Sequence, residues 1–165
     1  MSSTRGVLYV HSAPSAICPH IEWAVGGVFG TPVRLDWTPQ PVERSAYRAE
    51  HSWAGPSGTA ARLATALKGW QRIRFEVTEG GTLTTEPERY SYTPSLGVFH
   101  AVTGPHGDIM VAEDRIRRAM LTAGRDSAAL HRALEGLLGG PWDAELEPFR
   151  YAGDDPGVRW LHEVV

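Results

Sequence analysis

The sequence predicts an α+β protein. A ferredoxin-like βαββαβ sandwich covers residues 5–79, and a C-terminal α/β extension of a hairpin, two helices and an aromatic-rich tail follows. Three observations predict it. Short stretches in which apolar and polar residues alternate mark half-buried strands, and stretches with apolar residues three and four apart mark helices. In the first half these come in the order β-α-β-β-α-β, for which right-handed crossovers favour a 4-1-3-2 antiparallel sheet covered by both helices. Glycine and proline clusters separate the stretches.

Residues 6–11, from Gly6 to His11, are rich in β-formers and are closed by Ser12, Ala13, Pro14 and Ser15, which gives the first strand. Ile17, Ile21, Ala24, Val25 and Val28 then recur at helical spacing. Pro19 stands where a first-turn proline belongs and Gly30 just past the end, so this is the first helix. Val33, Leu35 and Trp37 alternate with Arg34, Asp36 and Thr38 as a second strand, which Pro39 and Pro41 end. Tyr47, Ala49, His51 and Trp53 alternate in the same way as a third, making a hairpin with the second. Cap chemistry around Thr59 precedes the helical stripe Ala60, Leu63, Ala64, Leu67 and Trp70, and Ile73, Phe75 and Val77 mark the fourth strand.

Residues 80–88 form a polar bridge. Beyond it Tyr90 and Tyr92, residues 98–102, and residues 108–111 after the Gly104-Pro105-His106-Gly107 turn read as a hairpin or meander. Ile116, Met120 and Leu121 make a short amphipathic helix, and a second runs from an Asp126 or Ser127 cap to Gly139 and Gly140. Trp142, Phe149, Tyr151, Trp160 and Leu161 are too many large apolar residues for a disordered end, so the tail is expected to dock on the body. The two halves, residues 1–79 and 80–165, are expected to form one integrated unit, because 165 residues suit a single core.

With 42% hydrophobic and 21% charged residues the composition is that of an ordinary globular protein. The net charge of -3 supplies no global positive field to recruit nucleic acid or an anionic membrane. No apolar run approaches the roughly 20 residues that cross a bilayer, and the N-terminus lacks a signal-peptide pattern. The single cysteine, Cys18, can build neither an internal disulfide nor a cysteine-rich zinc site. A cytoplasmic location without membrane partners is therefore expected. Phosphate-loop, dinucleotide, nucleophile-elbow and zinc-helix motifs are absent, and no cofactor is expected.

The most unusual stretch is residues 11–20, which places His11, Cys18 and His20 around a strand-to-helix turn. With Pro19 as the first helical residue, Cys18 falls at the N-cap, where the helix dipole favours thiolate and a nearby histidine can act as base. The same three residues, with Glu22 close behind, are candidate ligands for a transition metal, although they lack the paired spacing of a true motif. Against both stands a plainer reading, with Cys18 small, inert and buried, His11 on the sheet and His20 on a helix surface. The open sheet face offers Tyr9, His11, Arg34, Arg48, Arg72 and Arg74 among Asp36, Glu50 and Glu76. Only Tyr9 is there to stack a base, so nucleic acid is disfavoured, and mixed charge suits a solvated face or an interface. Trp142 and Trp160 are further interface candidates, weighed against the usual role of tryptophan in a core.

Several blocks carry a specific likeness. They are Gly6 through Pro14, Cys18-Pro19-His20-Ile21-Glu22-Trp23-Ala24, Leu35-Asp36-Trp37-Thr38-Pro39-Gln40-Pro41, Tyr90-Ser91-Tyr92-Thr93-Pro94 and Gly107-Asp108-Ile109-Met110-Val111. Near the end, Glu147 through Gly153 and Val158-Arg159-Trp160-Leu161-His162 complete the set. Together they resemble an actinobacterial family, domain of unknown function 3145. The resemblance implies a cytoplasmic actinobacterial origin and an association with fatty-acid synthesis or central carbon metabolism. It brings no activity, cofactor or catalytic residue.

The leading expectation is a non-enzymatic regulatory or protein-interaction module that docks through the sheet or the aromatic tail, with a homodimer as one form such folds adopt. The alternatives are a small-molecule-binding protein or enzyme with a pocket at His11, Cys18 and His20, and a single-stranded nucleic-acid binder using Arg34, Arg48, Arg72 and Arg74.

Overall fold

The structure, a computed structural model, describes residues 2–151. Its first strand, β1 (Ser3–Pro14), passes through a 3-10 turn (Ser15–Ile17) into helix α1 (Cys18–Phe29). Then come β2 (Thr38–Pro39), β3 (Ala46–Pro56), α2 (Thr59–Leu67), β4 (Arg74–Glu79), β5 (Glu88–Thr93), β6 (Gly97–Thr103) and β7 (Ile109–Met110). Three helices close the described chain: α3 (Glu113–Ala123), α4 (Ser127–Leu137) and α5 (Gly140–Arg150). All seven strands join one sheet in the order β2-β3-β1-β4-β5-β6-β7, and every neighbouring pair is antiparallel. The protein is thus mixed α+β. Its two sequence halves share a single sheet, because β4 continues into β5 rather than ending at an edge.

Alternation along the strands divides the sheet into two unlike faces. Leu8 and Val10 of β1 sit opposite Val77 and Phe75 of β4, and they form the core with Ile21 and Val25 of α1 and with Leu63 and Leu67 of α2. The intervening Tyr9 and Glu76 point to the other face. The cap of α2 comes from across the sheet. Glu79 accepts hydrogen bonds from the backbone N–H groups of Gly58 (3.0 Å) and Ala60 (2.9 Å), while the Thr59 hydroxyl donates to Pro56. A carboxylate at a helix N-terminus satisfies orphan donors and opposes the positive end of the dipole.

Two expectations are corrected. Only Thr38 and Pro39 of the expected second strand, residues 33–38, pair with β3. The Leu35 N–H donates instead to Glu22 on α1 at 2.7 Å. The alternating pattern reports alternating burial, with Leu35 inside and Arg34 and Asp36 exposed, but the segment is irregular, since the Leu35 carbonyl accepts from the Trp37 N–H rather than from a strand. The second correction is α5, a helix where a docked tail was expected. Gly139 adopts φ 77°, turning the chain so that Pro141 enters the first helical turn. Trp142, Leu146 and Phe149, spaced by four and three, then make its apolar stripe.

That stripe buries Leu146 and Phe149 on the sheet face opposite α1 and α2. The face expected to be open is therefore covered over β4, β5 and β6. A recess remains beside β1, β2 and β3.

Candidate functional site

A bulge in β1 builds the site. Register with β3 passes from Val10↔Ala49 to Ala13↔Tyr47, so Val10 and Ala13 both enter the core while His11 and Ser12 between them go to the far face. Gln40, buried in the loop after β2, donates from Nε2 to the His11 carbonyl (2.6 Å) and to the Phe149 carbonyl (3.3 Å). It thereby ties the bulge to α5. The rings of Tyr9 and His11 lie nearly parallel, 5.8 Å apart with 5° between their planes.

Beneath them lies a buried charge cluster. Glu76 has no exposed surface. Arg150 Nε donates to Glu76 Oε1 at 2.6 Å, and Arg150 Nη2 contacts the same oxygen and also donates to Asp143 Oδ1 at 2.9 Å. His11 Nε2 stands 3.4 Å from Glu76 Oε1, within range of charge interaction but off hydrogen-bond alignment. Burial pushes the Glu76 carboxyl up, but His11, Arg150 and Arg89 outweigh it and hold the carboxyl at about 2. Burial also opposes the Arg150 charge, and Glu76 and Asp143 more than offset it. Burial, reinforced by Glu50 and Glu76, raises the Tyr9 hydroxyl well above its ordinary range. Among the described residues His11 Nε2, Glu76 Oε2 and Arg89 Nε are buried without a hydrogen-bond partner. Such atoms are the ones a polar ligand or ordered water satisfies.

A carboxylate beside an imidazole is the arrangement that orients a general base. No nucleophile stands against it, since the Ser12 hydroxyl donates to Glu43 at 2.6 Å and Cys18 lies across the sheet in the α1 core. The recess next to the cluster has a volume of about 330 Å³ and is lined by Tyr9, His11, Asp36, Thr38, Arg48 and Glu50, among others. Neither Asp36 nor Arg48 takes part in an ion pair among the described residues.

The sequence candidates scatter. Cys18 is the first residue of α1 and Ile17 its N-cap, so the expected cap position is one residue off. Its thiol donates to the Pro14 carbonyl at 3.5 Å, and burial followed by Glu22 pushes its pKa up, the reverse of activation. His20 is exposed and stacks on Trp70 at 5.3 Å. His11, Cys18 and His20 thus sit on two sides of the sheet, and no group of three or more His, Cys, Asp or Glu among the described residues has metal-holding geometry. The four arginines do not make a patch either. Arg34 and Arg72 are exposed outside the strands, whereas Arg74 pairs with Glu43 at 2.8 Å and covers the Phe149 ring at 4.3 Å. Only Arg48 lines the recess with Tyr9 and His11. Trp142 donates from Nε1 to the Gly97 carbonyl at 2.9 Å and packs on Phe99, which fastens α5 to β6. Trp160 lies outside the described residues.

Sequence reasoning missed Glu76 as a buried charge, and with it Gln40, Asp143 and Arg150. The signal was the spacing of Trp142, Leu146 and Phe149, which foretells a helix able to cover the polar face. A profile of the family described as "Protein of unknown function (DUF3145)" matches residues 7–163. The chain belongs to that family. The DUF3145 match takes in β1 from Val7 onward and every later strand and helix among the described residues, so the charge cluster and the recess are parts of the DUF3145 domain. No curated protein and no solved structure matches this DUF3145 chain. Among its described residues no helix is long and apolar enough to cross a membrane.

Proposed function

We propose that this chain is a non-enzymatic protein-interaction module, built on a ferredoxin-like first half, whose docking element is the α3–α4 hairpin and whose partner is a second copy of the chain. One observation carries the reading. Neither α3 nor α4, eleven residues each, contains a buried residue. Ile116, Met120, Leu121 and Leu138 are exposed. Helices this short draw their stability from packing rather than propensity, and α3 packs chiefly on α4. Among the described residues no surface covers the outer faces of the two helices.

Charge selects what covers it. Around the apolar residues Arg115, Arg117, Arg118 and Arg132 are interspersed with Glu113, Asp114, Asp126 and Glu135, and Glu113 already pairs with Arg117 at 2.8 Å. A near-neutral rim of both signs does not steer a strongly charged partner, but under two-fold symmetry it can meet its own copy without like-charge repulsion. Each helix is only about 16 Å long at 1.5 Å per residue. The interface falls at the small end of specific contacts, so the dimer is weak and concentration-dependent.

Sedimentation velocity over a concentration series tests this. Wild type is expected to shift from monomer to dimer, and Leu121→Glu with Met120→Glu to remain monomeric with unchanged sheet content by circular dichroism. A wild-type monomer at the highest soluble concentration, or a dimer indifferent to both substitutions, overturns the reading.

A further inference from the structure

The geometry points to a second site: we infer that the recess beside β1, β2 and β3 binds a small zwitterion of the free α-amino acid class, held between Arg48 and Asp36 against the rings of Tyr9 and His11. Arg48 on β3 is paired with Thr38 on β2, and Asp36 lies two residues before Thr38. A guanidinium and a carboxylate therefore line one small recess from neighbouring segments, yet they are not paired with each other or with any other described residue. Two unpaired opposite charges separated by a gap match a ligand carrying both charges. The planar fork of arginine suits a carboxylate, and an aspartate accepts from an ammonium.

The walls agree with that class. His11 is 2% exposed and lines the recess, with its Nε2 turned to the buried Glu76 Oε1 at 3.4 Å. Tyr9, 4% exposed, lines the recess beside His11, and the two rings lie nearly parallel. Beneath, Arg150 pairs with both Glu76 and Asp143, and Glu50 joins Asp36 and Arg48 in the lining. At about 330 Å³ the recess is at the small end of ligand sites, which run from about 300 to 1,000 Å³. This inference is independent of self-association through α3 and α4.

Isothermal titration of the full chain with a panel of the standard free L-amino acids tests it, using for any binder its N-acetyl and carboxamide forms, each lacking one charge. Saturable binding of at least one amino acid is expected. It should weaken about tenfold or more in Arg48→Gln, in Asp36→Asn and in each blocked form, as expected for loss of a charge-assisted contact. Both substitutions lie at the surface of the recess, and thermal melting without ligand confirms that the variants fold. No saturable binding across the panel overturns the inference. So does binding that either blocked form or Arg48→Gln leaves unchanged.

Discussion

Arg150 Nε donates to Glu76 Oε1 at 2.6 Å across 74 residues of chain, joining the last described helix to a central strand. Both side chains are almost fully buried, at 3% and 0% exposure. Removing one partner strands the other charge in a low-dielectric interior, which costs about 3–5 kcal/mol, whereas replacing both with apolar residues of similar volume is far milder. Arg150→Ala is therefore expected to lose about 3–5 kcal/mol in urea unfolding. The Glu76→Leu/Arg150→Met double variant should lose less than Arg150→Ala. A double variant that is worse than the single one would mean that Asp143 and Arg89 hold the cluster together without Arg150.

The same cluster sets an acid limit. Glu76 titrates at about 2 in the folded chain against 4.5 when unperturbed. A depressed carboxyl stabilises the fold above its unfolded value, and that contribution disappears as pH falls through the folded value. Stability should thus be level in this respect above pH 4.5 and decline between about pH 4.5 and 2, by up to about 3 kcal/mol. Urea midpoints measured across that window check it. In Glu76→Gln the decline should be shallower than in wild type.

Strand and helix positions in the first half were legible because one face of each element is buried, so residues such as Leu8, Val10, Phe75 and Val77 print their period on the sequence. Three features were not. The Leu35 segment carries the same period without strand pairing, because alternation reports which side chains are buried and not where the backbone bonds go. The cap of α2 comes from Glu79, nineteen residues after Ala60, and no local motif encodes it. The charge cluster depends on α5 crossing β4, a contact between the middle of the described chain and its last helix. Of the candidate site, Tyr9, His11 and Arg48 were visible as far-face residues, while Cys18 and His20 were grouped with His11 by nearness in sequence, which the β1 bulge and the turn into α1 undo.

Cys18 should behave as an inert thiol. Burial and Glu22 raise its pKa, and its proton is engaged by the Pro14 carbonyl. Alkylation by iodoacetamide at pH 8 is expected to be at least tenfold slower in the native chain than in the urea-unfolded chain, the reverse of an activated thiolate. Cys18→Ala should cost about 1 kcal/mol of stability, since it removes one small group from the core edge. Native alkylation faster than that of the unfolded chain would restore the reactive reading.

Gly6 lies on β1 between Trp53 of β3 and Glu79 of β4. A β-carbon there would overlap the Thr78 carbonyl oxygen and the Trp53 ring. The carbonyl belongs to the neighbouring strand and cannot retreat without disturbing the β1–β4 ladder, and Trp53 is itself only 5% exposed. Gly6→Ala is expected to cost about 3 kcal/mol, the upper part of the usual range for overpacking. At roughly 2–4 °C per kcal/mol for a chain of this size, that lowers Tm by about 6–12 °C. Gly27 is the internal control, because it lies on α1 with nothing within 4 Å of an added β-carbon. Gly27→Ala should stabilise by about 0.5–1 kcal/mol through helix propensity alone. Calorimetry on the two variants separates the causes, and a Gly6→Ala chain as stable as wild type would show that Trp53 does not close over β1.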